Sequence, residues 1–217
     1  MGKLSGGILG SVKGKVGAVV GSVVGGQNIV KQMPSSYSDK NSVAQQTQRS
    51  AFAATLEWFK ALSPALAEAY PERKAKHSGY NTFMGDNVNT GITGTGVIWN
   101  SLKISKGSLS NPEFTATATA QTDEAQFDWI NDADGSSKLA TDKAVLVVIE
   151  PVSKSVLVSD GVYTRASGTA LLPLPAIMVG KELQTYAYIK RADGSKASVS
   201  KRTGRFTAGS ELAGSVQ

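Results

Sequence analysis

The chain contains no cysteine. Disulfides, thiolate metal sites and cysteine nucleophiles are therefore excluded. It has one histidine, His77, so any Ser-His-Asp set or histidine metal site would have to be built around that residue. Charged residues are sparse at 18%, and hydrophobic residues reach 41%. Long apolar runs are also missing. The best candidate, Val16 to Val30, is short for a bilayer and is interrupted by Gln27 and Asn28, so no membrane span is expected. Glycines weaken any signal-peptide core in the same stretch, which leaves synthesis and folding in the cytoplasm as the expectation.

With 217 residues, the chain is long enough for one large domain, or one domain plus a smaller element. Its surface must be covered largely by Ser, Thr, Ala and Gly, a composition that suits β-rich virion, fibre or surface proteins better than a cytosolic enzyme. The net charge is +6 and unevenly spread. Residues 1–40 hold Lys3, Lys13, Lys15, Lys31 and Lys40 against Asp39. Residues 181–205 hold seven bases against Glu182 and Asp193. Between them, residues 121–135 hold Asp123, Glu124, Asp128, Asp132 and Asp134 and no base. Segregation of this kind either reflects solvated loops or lets subunits dock on one another.

The first 34 residues alternate glycine with valine. At period two, Val16, Ala18, Val20, Ser22 and Val24 share one strand face, and Gly17, Val19, Gly21, Val23 and Gly25 the other. Gly10/Gly14, Gly17/Gly21 and Gly21/Gly25 have small-xxx-small helical spacing, but each glycine inside a solvated helix costs about 1 kcal/mol relative to alanine. A hairpin-like extended arm is therefore expected, with Lys13, Gly14, Lys15, Gly17, Val19, Gly21, Val23 and Gly25 as its subunit-contact residues. The period then changes. Ser42 and Gln45 form a capping-box pattern, followed by Phe52, Leu56, Phe59, Leu62 and Leu66 at helical spacing. Ser63-Pro64 restarts the helix, with Ser63 as its cap and Pro64 in the first helical position, and a further short helix is expected over Tyr80 to Val88.

From Gly96 onward the pattern is β. Strands are expected at 101–105, 113–120, 125–130, 144–150, 155–158, 170–174, 183–190, 197–201 and 205–208, with Asp134-Gly135, Asp160-Gly161 and Asp193-Gly194 as turns. The expectation is an α+β chain. It comprises a Gly-rich arm and linker at 1–40, a helical segment at 41–95, an antiparallel β-sandwich of immunoglobulin or fibronectin type at 96–212 and a tail at 213–217.

No chemical motif survives its own requirements. Gly10-Ser11-Val12-Lys13-Gly14-Lys15 lacks the glycine spacing and the Ser or Thr after lysine that a phosphate loop needs. Aligning Asn131-Asp132-Ala133-Asp134-Gly135 on a calcium loop puts Ile130 first and Thr141 last, where a carboxylate is required. A turn is the better reading, with a non-EF-hand cation site as the alternative. His77 reads as solvated. No cofactor is expected. Trp58, Phe59 and Tyr70 read as packing residues. Tyr186, Tyr188, Lys190, Arg191, Lys201 and Arg202 interleave aromatics with bases, as single-strand nucleic-acid binders do. They form either a basic partner-binding face or the ordinary solvent face of the sandwich, and in-out alternation favours the latter.

Two resemblances add to this. Gly2-Lys3-Leu4-Ser5-Gly6-Gly7, Gly14 to Gly21, Ala44-Gln45-Gln46-Thr47-Gln48-Arg49-Ser50-Ala51-Phe52, Tyr80-Asn81, Asp142-Lys143-Ala144, Arg165 to Ala170 and Asp193-Gly194 together resemble an uncharacterised family of about 200 residues found mostly in Bacteroidota. That resemblance covers most of the chain and implies architecture rather than activity. The helical pattern of Gln45, Arg49, Phe52, Trp58, Leu62-Ser63-Pro64, Tyr80-Asn81 and Phe83 is similar to small proteins encoded near bacteriophage structural genes, although Pro71-Glu72-Arg73 interrupts it here. It implies a virion context. The functional expectation is a non-catalytic structural or assembly protein of a phage capsid, vertex or tail, whose arm packs on neighbouring subunits. Nucleic-acid binding and a bacterial surface or adhesion module are the alternatives, and an enzyme is not expected.

Overall fold

The computed structural model describes residues 2–4, 13–36, 39–118, 123–159 and 161–208. The tail at 213–217, the end of the expected 113–120 strand, Asp160 and Gly10 lie outside the described residues. The chain divides into two compact units, Met1–Val43 and Ala44–Gln217.

The first unit is a four-stranded antiparallel sheet in the order β1-β4-β3-β2, where β1 is Gly2–Leu4, β2 Gly14–Val16, β3 Val19–Val24 and β4 Gln27–Gln32. Valine supplies the strand preference. The turns come from glycine. Gly25 and Gly26 take φ of +58° and +79°, and Val24 pairs directly with Gln27 across them. A two-residue turn of this kind needs positive φ at both central positions, which glycine adopts without strain. The expected hairpin is therefore present, with one further strand on each side.

The second unit begins with α1 (Val43–Ala61), α2 (Ser63–Leu66) and α3 (Gly79–Asn87). A two-stranded ribbon follows, β5 (Ile92–Thr93) and β6 (Gly96–Val97). Then come β7 (Phe114–Ala118), β8 (Glu124–Trp129), β9 (Lys143–Glu150), β10 (Ser155–Val158), a 3₁₀ turn at Arg165–Ser167, β11 (Thr169–Pro173), β12 (Glu182–Lys190) and β13 (Lys201–Thr207). They form two antiparallel sheets, β10-β9-β12-β13 and β11-β8-β7. The class is α+β with a sandwich-like pair of sheets.

The first of these sheets is covered on both faces. Alternation along β9 and β12 sends Val145, Val147, Ile149, Tyr186 and Tyr188 into a core with Trp58, Leu62, Leu66, Tyr70 and Phe83 of the helical segment. It sends Leu146, Val148, Leu183, Ala187 and Ile189 into a second core with Phe114, Phe127, Trp129 and Leu172 of the other sheet. Burial on both faces explains the near-continuous apolar run Ala144–Ile149. Each fully buried Val, Leu or Ile contributes about 1.5–3 kcal/mol. The helical segment thus shares a core with the sandwich. At the sandwich edge, β13 and β7 approach so closely that a Cβ on Gly204 would lie 2.8 Å from the Ala116 carbonyl oxygen.

Three local expectations are corrected. The buried seam of α1 runs through Ala51, Thr55 and Trp58, and Phe52 is exposed. Small residues set that seam, because Gly94 packs against Ser50 and Ala51 so tightly that an added Cβ would lie 2.2 Å from the Ser50 hydroxyl oxygen. Ser63 sits in the first position of α2 and Leu62 occupies the cap without a side-chain hydrogen bond. Finally, residues 101–105 and 197–200 are not strands: Asn87 and Ser200 side chains hold the first, and only isolated bridges at Ala197 and Ser198 mark the second. The Asp193-Gly194 turn forms as expected, with Ser195 N donating to Asp193 Oδ1 at 2.9 Å.

Candidate functional site

The six residues expected to form a basic partner-binding face do not form one. Tyr186 is 0% exposed and Tyr188 2%, because helical residues lie over that side of β12. The Tyr188 hydroxyl donates to the Ala65 carbonyl oxygen at 3.0 Å, and the Tyr186 hydroxyl donates to Trp99 O. Burial pushes both phenols well above their ordinary value. Lys190 pairs with Glu68, and its hydrogen bond and charge hold that carboxyl below its usual range. Arg191 donates to Asp142 Oδ1 at 2.9 Å and to Ser137 O at 2.9 Å. Arg202 binds Gln184 Oε1 at 3.0 and 2.8 Å and Asn100 Oδ1 at 2.8 Å. Lys201 is exposed. Both readings of Tyr186 and Tyr188 are corrected by one cause: β12 is central, with a layer on each face.

A buried ion network missed at the level of sequence lies at one end of the sandwich. Arg165 is 0% exposed. Its Nη1 pairs with Asp132, its Nη2 donates to Ser110 O at 2.9 Å, and its Nε lies 3.5 Å from Asp142 Oδ2. Asp142 also receives Arg191 and the backbone N–H of Leu139 at 3.0 Å. Lys138 completes the group on Asp132 at 2.9 Å. Asp142 and Arg165 both sit in motifs quoted above for the family resemblance, and the pair ties the 131–142 loop to the turn before β11.

The carboxylates that invited a cation are already occupied. Asp134 accepts from Ser136 N and Lys138 N at 2.8 Å each and from the Ser137 hydroxyl at 2.7 Å. These bonds hold its carboxyl far below the ordinary value. Burial pushes Asp132 upward, but hydrogen bonds from Lys138 and Arg165 outweigh it and leave the group lowered. The segment is a turn held by its own side chains. Among the described residues, no group of three or more His, Cys, Asp or Glu is placed to hold a metal ion. His77 is exposed in an irregular stretch. The surface depressions are open, including one of about 370 Å³ beside Tyr70 and Arg73 and one of about 470 Å³ beside Arg191 and Lys196. No described helix is long and apolar enough to cross a membrane.

The arm residues are placed together. Gly14 pairs with Gly21 and Val16 with Val19, so Gly14, Val16, Val19, Gly21 and Val23 lie on one face of the arm sheet. Lys15 pairs with Val20, which pairs with Lys31 on its other side, so these three lie on the opposite face. Gly17 (φ +58°) and Gly25 occupy turns, and Lys13 precedes β2. Lys13, Lys15, Val16, Val23 and Val24 are exposed. The arm therefore presents a side-chain-poor Gly/Val face, a lysine face, and short outer strands.

Neither a curated protein nor a solved structure matches the chain. A family model does match, over residues 11–204; it is described as a family of unknown function, DUF6266.

Proposed function

The chain belongs to the DUF6266 family, and from that premise we propose that it is a non-catalytic structural protein that assembles through its N-terminal arm. The observation that carries this reading is the arm itself. It is one of the chain's two compact units, made of strands three to six residues long. A sheet of three or more strands is stable when a hydrophobic face is packed, and two of these four strands are only three residues long, so covering the Gly/Val face with a neighbour would add stability. The family match spans both units, which supports arm and body as parts of one working protein. Strand addition at an open sheet edge supplies main-chain hydrogen bonds as affinity, and a Gly/Val face lets a neighbouring backbone approach closely.

The resemblance of the helical motif supports a bacteriophage particle (capsid, vertex or tail) as the place of action. The nucleic-acid alternative is weakened, because Tyr186 and Tyr188 lie inside the core and cannot stack bases.

The test is mass-resolved size exclusion of the full chain beside a chain starting at Ser35. Assembly of the full chain alone supports the reading. Identical monomers at every concentration would sink it.

A further inference from the structure

Two sheet faces of opposite charge are open. On the arm, Lys15, Val20 and Lys31 form one row, Ser22 and Ile29 the next, and Val24 and Gln27 the last. From Lys13 to Gln32 there is no Asp or Glu, and Lys15, Lys31 and Val24 are exposed. Lys15 and Lys31 lie two strands apart, about 10 Å at the usual strand spacing.

The second face is the outer side of sheet β11-β8-β7. Phe114, Phe127, Trp129 and Leu172 point into the core, so alternation leaves Thr117, Glu124, Gln126, Asp128 and Leu171 outside. Residues 113–130 and 169–173, which include all three strands, contain no Lys or Arg. Among the described residues, the Asp128 carboxylate receives neutral donors, Gln126 Nε2 at 3.1 and 2.9 Å and Thr169 Oγ1 at 2.8 Å, and no ion pair. Leu171 is 47% exposed and Ile130, at the end of β8, 78%.

We infer that the lysine-bearing face of the arm docks on the outer face of sheet β11-β8-β7 of a second copy of this chain. This rests on the assembly reading above and names its partner. Each side brings the same two ingredients, apolar side chains (Val20, Val24 and Ile29 against Leu171 and Ile130) and charge of one sign. Donor and acceptor are different surfaces, so the contact is exchanged reciprocally within a two-fold dimer, closes into a larger ring or continues as a filament. Its charges also steer encounter and make association salt-sensitive.

The experiment uses two full-length variants with reversed charge, followed by sedimentation velocity alone and mixed. The arm variant is Lys15→Glu with Lys31→Glu. The acceptor variant is Asp128→Lys with Thr117→Lys, both on the outer face, backed by Thr117→Lys alone, which removes no carboxylate contact. Circular dichroism melts establish that each is folded. Each variant alone is expected to associate at least about tenfold more weakly than the wild type, because like charges then face each other. An equimolar mixture is expected to regain assembly, since every arm then meets an opposite face. If both folded variants assemble like the wild type, the docking face is wrong while the arm reading stands. If the mixture of folded variants does not regain assembly, the contact is not between copies and the inference falls. If the wild type itself stays monomeric, the assembly reading falls first and takes this inference with it.

Discussion

The Tyr188 hydroxyl on β12 reaches the Ala65 carbonyl oxygen of α2 at 3.0 Å, in the middle of the core that joins the helices to the central sheet. Tyr186, two residues earlier, makes the matching bond to Trp99 O. A tyrosine pair of this kind fixes a helical layer by buried hydroxyls as well as by packing. Replacing Tyr188 by Phe keeps the ring and strands the Ala65 oxygen. The expected loss is about 1–3 kcal/mol of unfolding free energy, read from urea denaturation with an unchanged slope.

Arg165, Asp142 and Arg191 form a shared ion network with Arg165 and Asp142 almost wholly enclosed, at 0% and 1% side-chain exposure. Removing the carboxylate leaves two guanidinium groups facing one another. Asp142→Ala is expected to cost about 3–5 kcal/mol, or to prevent folding at 37 °C. Replacing Lys138 in the same group, at 33% side-chain exposure, is expected to cost under about 1 kcal/mol. Equal effects of the two substitutions in thermal melts would contradict the network as described.

Gly107 lies where two segments meet. A Cβ there would stand 2.2 Å from the Ala197 carbonyl oxygen and 2.3 Å from Glu72 Oε2. Glu72 is the hub of this corner, accepting from Ser108 N at 2.7 Å and the Ser108 hydroxyl at 2.6 Å. Gly107→Ala is expected to destabilise by about 1–3 kcal/mol through forced displacement, whereas Gly85→Ala, with open space around it, is expected to be neutral or stabilising. The comparison of the two melts is the check.

Acid should loosen the body. For Glu72 and Glu150, burial pushes each carboxyl upward, but hydrogen bonds, led by those from Ser108 to Glu72 and from Ser153 to Glu150, leave both below the ordinary 4.5. A depressed folded-state pKa gives stability that is fully present above the unfolded value and is lost as pH falls through the folded one. The melting temperature is therefore expected to be level on the neutral side and to fall below about pH 4.5. Glu72→Gln is expected to lower the neutral-pH melt and to flatten that acid limb.

Much of this architecture is legible in the chain. The Gly/Val alternation before residue 34 gives the arm sheet, since glycine supplies the turns and valine the strands. The alternating runs at 125–130, 144–150 and 183–190 give the strands that close around Phe127, Leu146 and Ile189. The burial of Tyr186 and Tyr188 is not legible. A tyrosine between bases looks the same from the sequence whether its hydroxyl meets water or a buried carbonyl, and only the helices above it decide. The α1 seam is misread for a related reason: large side chains at Phe52 and Leu56 suggest a core stripe, while the buried face runs through Ala51, where Gly94 packs closely, and on through Thr55 and Trp58. The Arg165–Asp142 pair is invisible because its members are far apart in sequence and each sits in a polar loop. The period-two reading of the arm puts Val16 on the face of Val20 and Val24, but the turn at Gly17 and Ala18 resets the alternation and places Val16 with Val19 on the opposite face. The division of the arm into a Gly/Val face and a lysine face needs the strand register.

The most direct measurement of the central claim is amide hydrogen exchange of the full chain at low and high concentration, resolved over Val19–Val24 and Gln27–Gln32. An arm that assembles with neighbouring copies should gain protection as concentration rises, while β9 and β12 in the core stay equally protected throughout. Arm exchange that is identical at both concentrations would contradict the account.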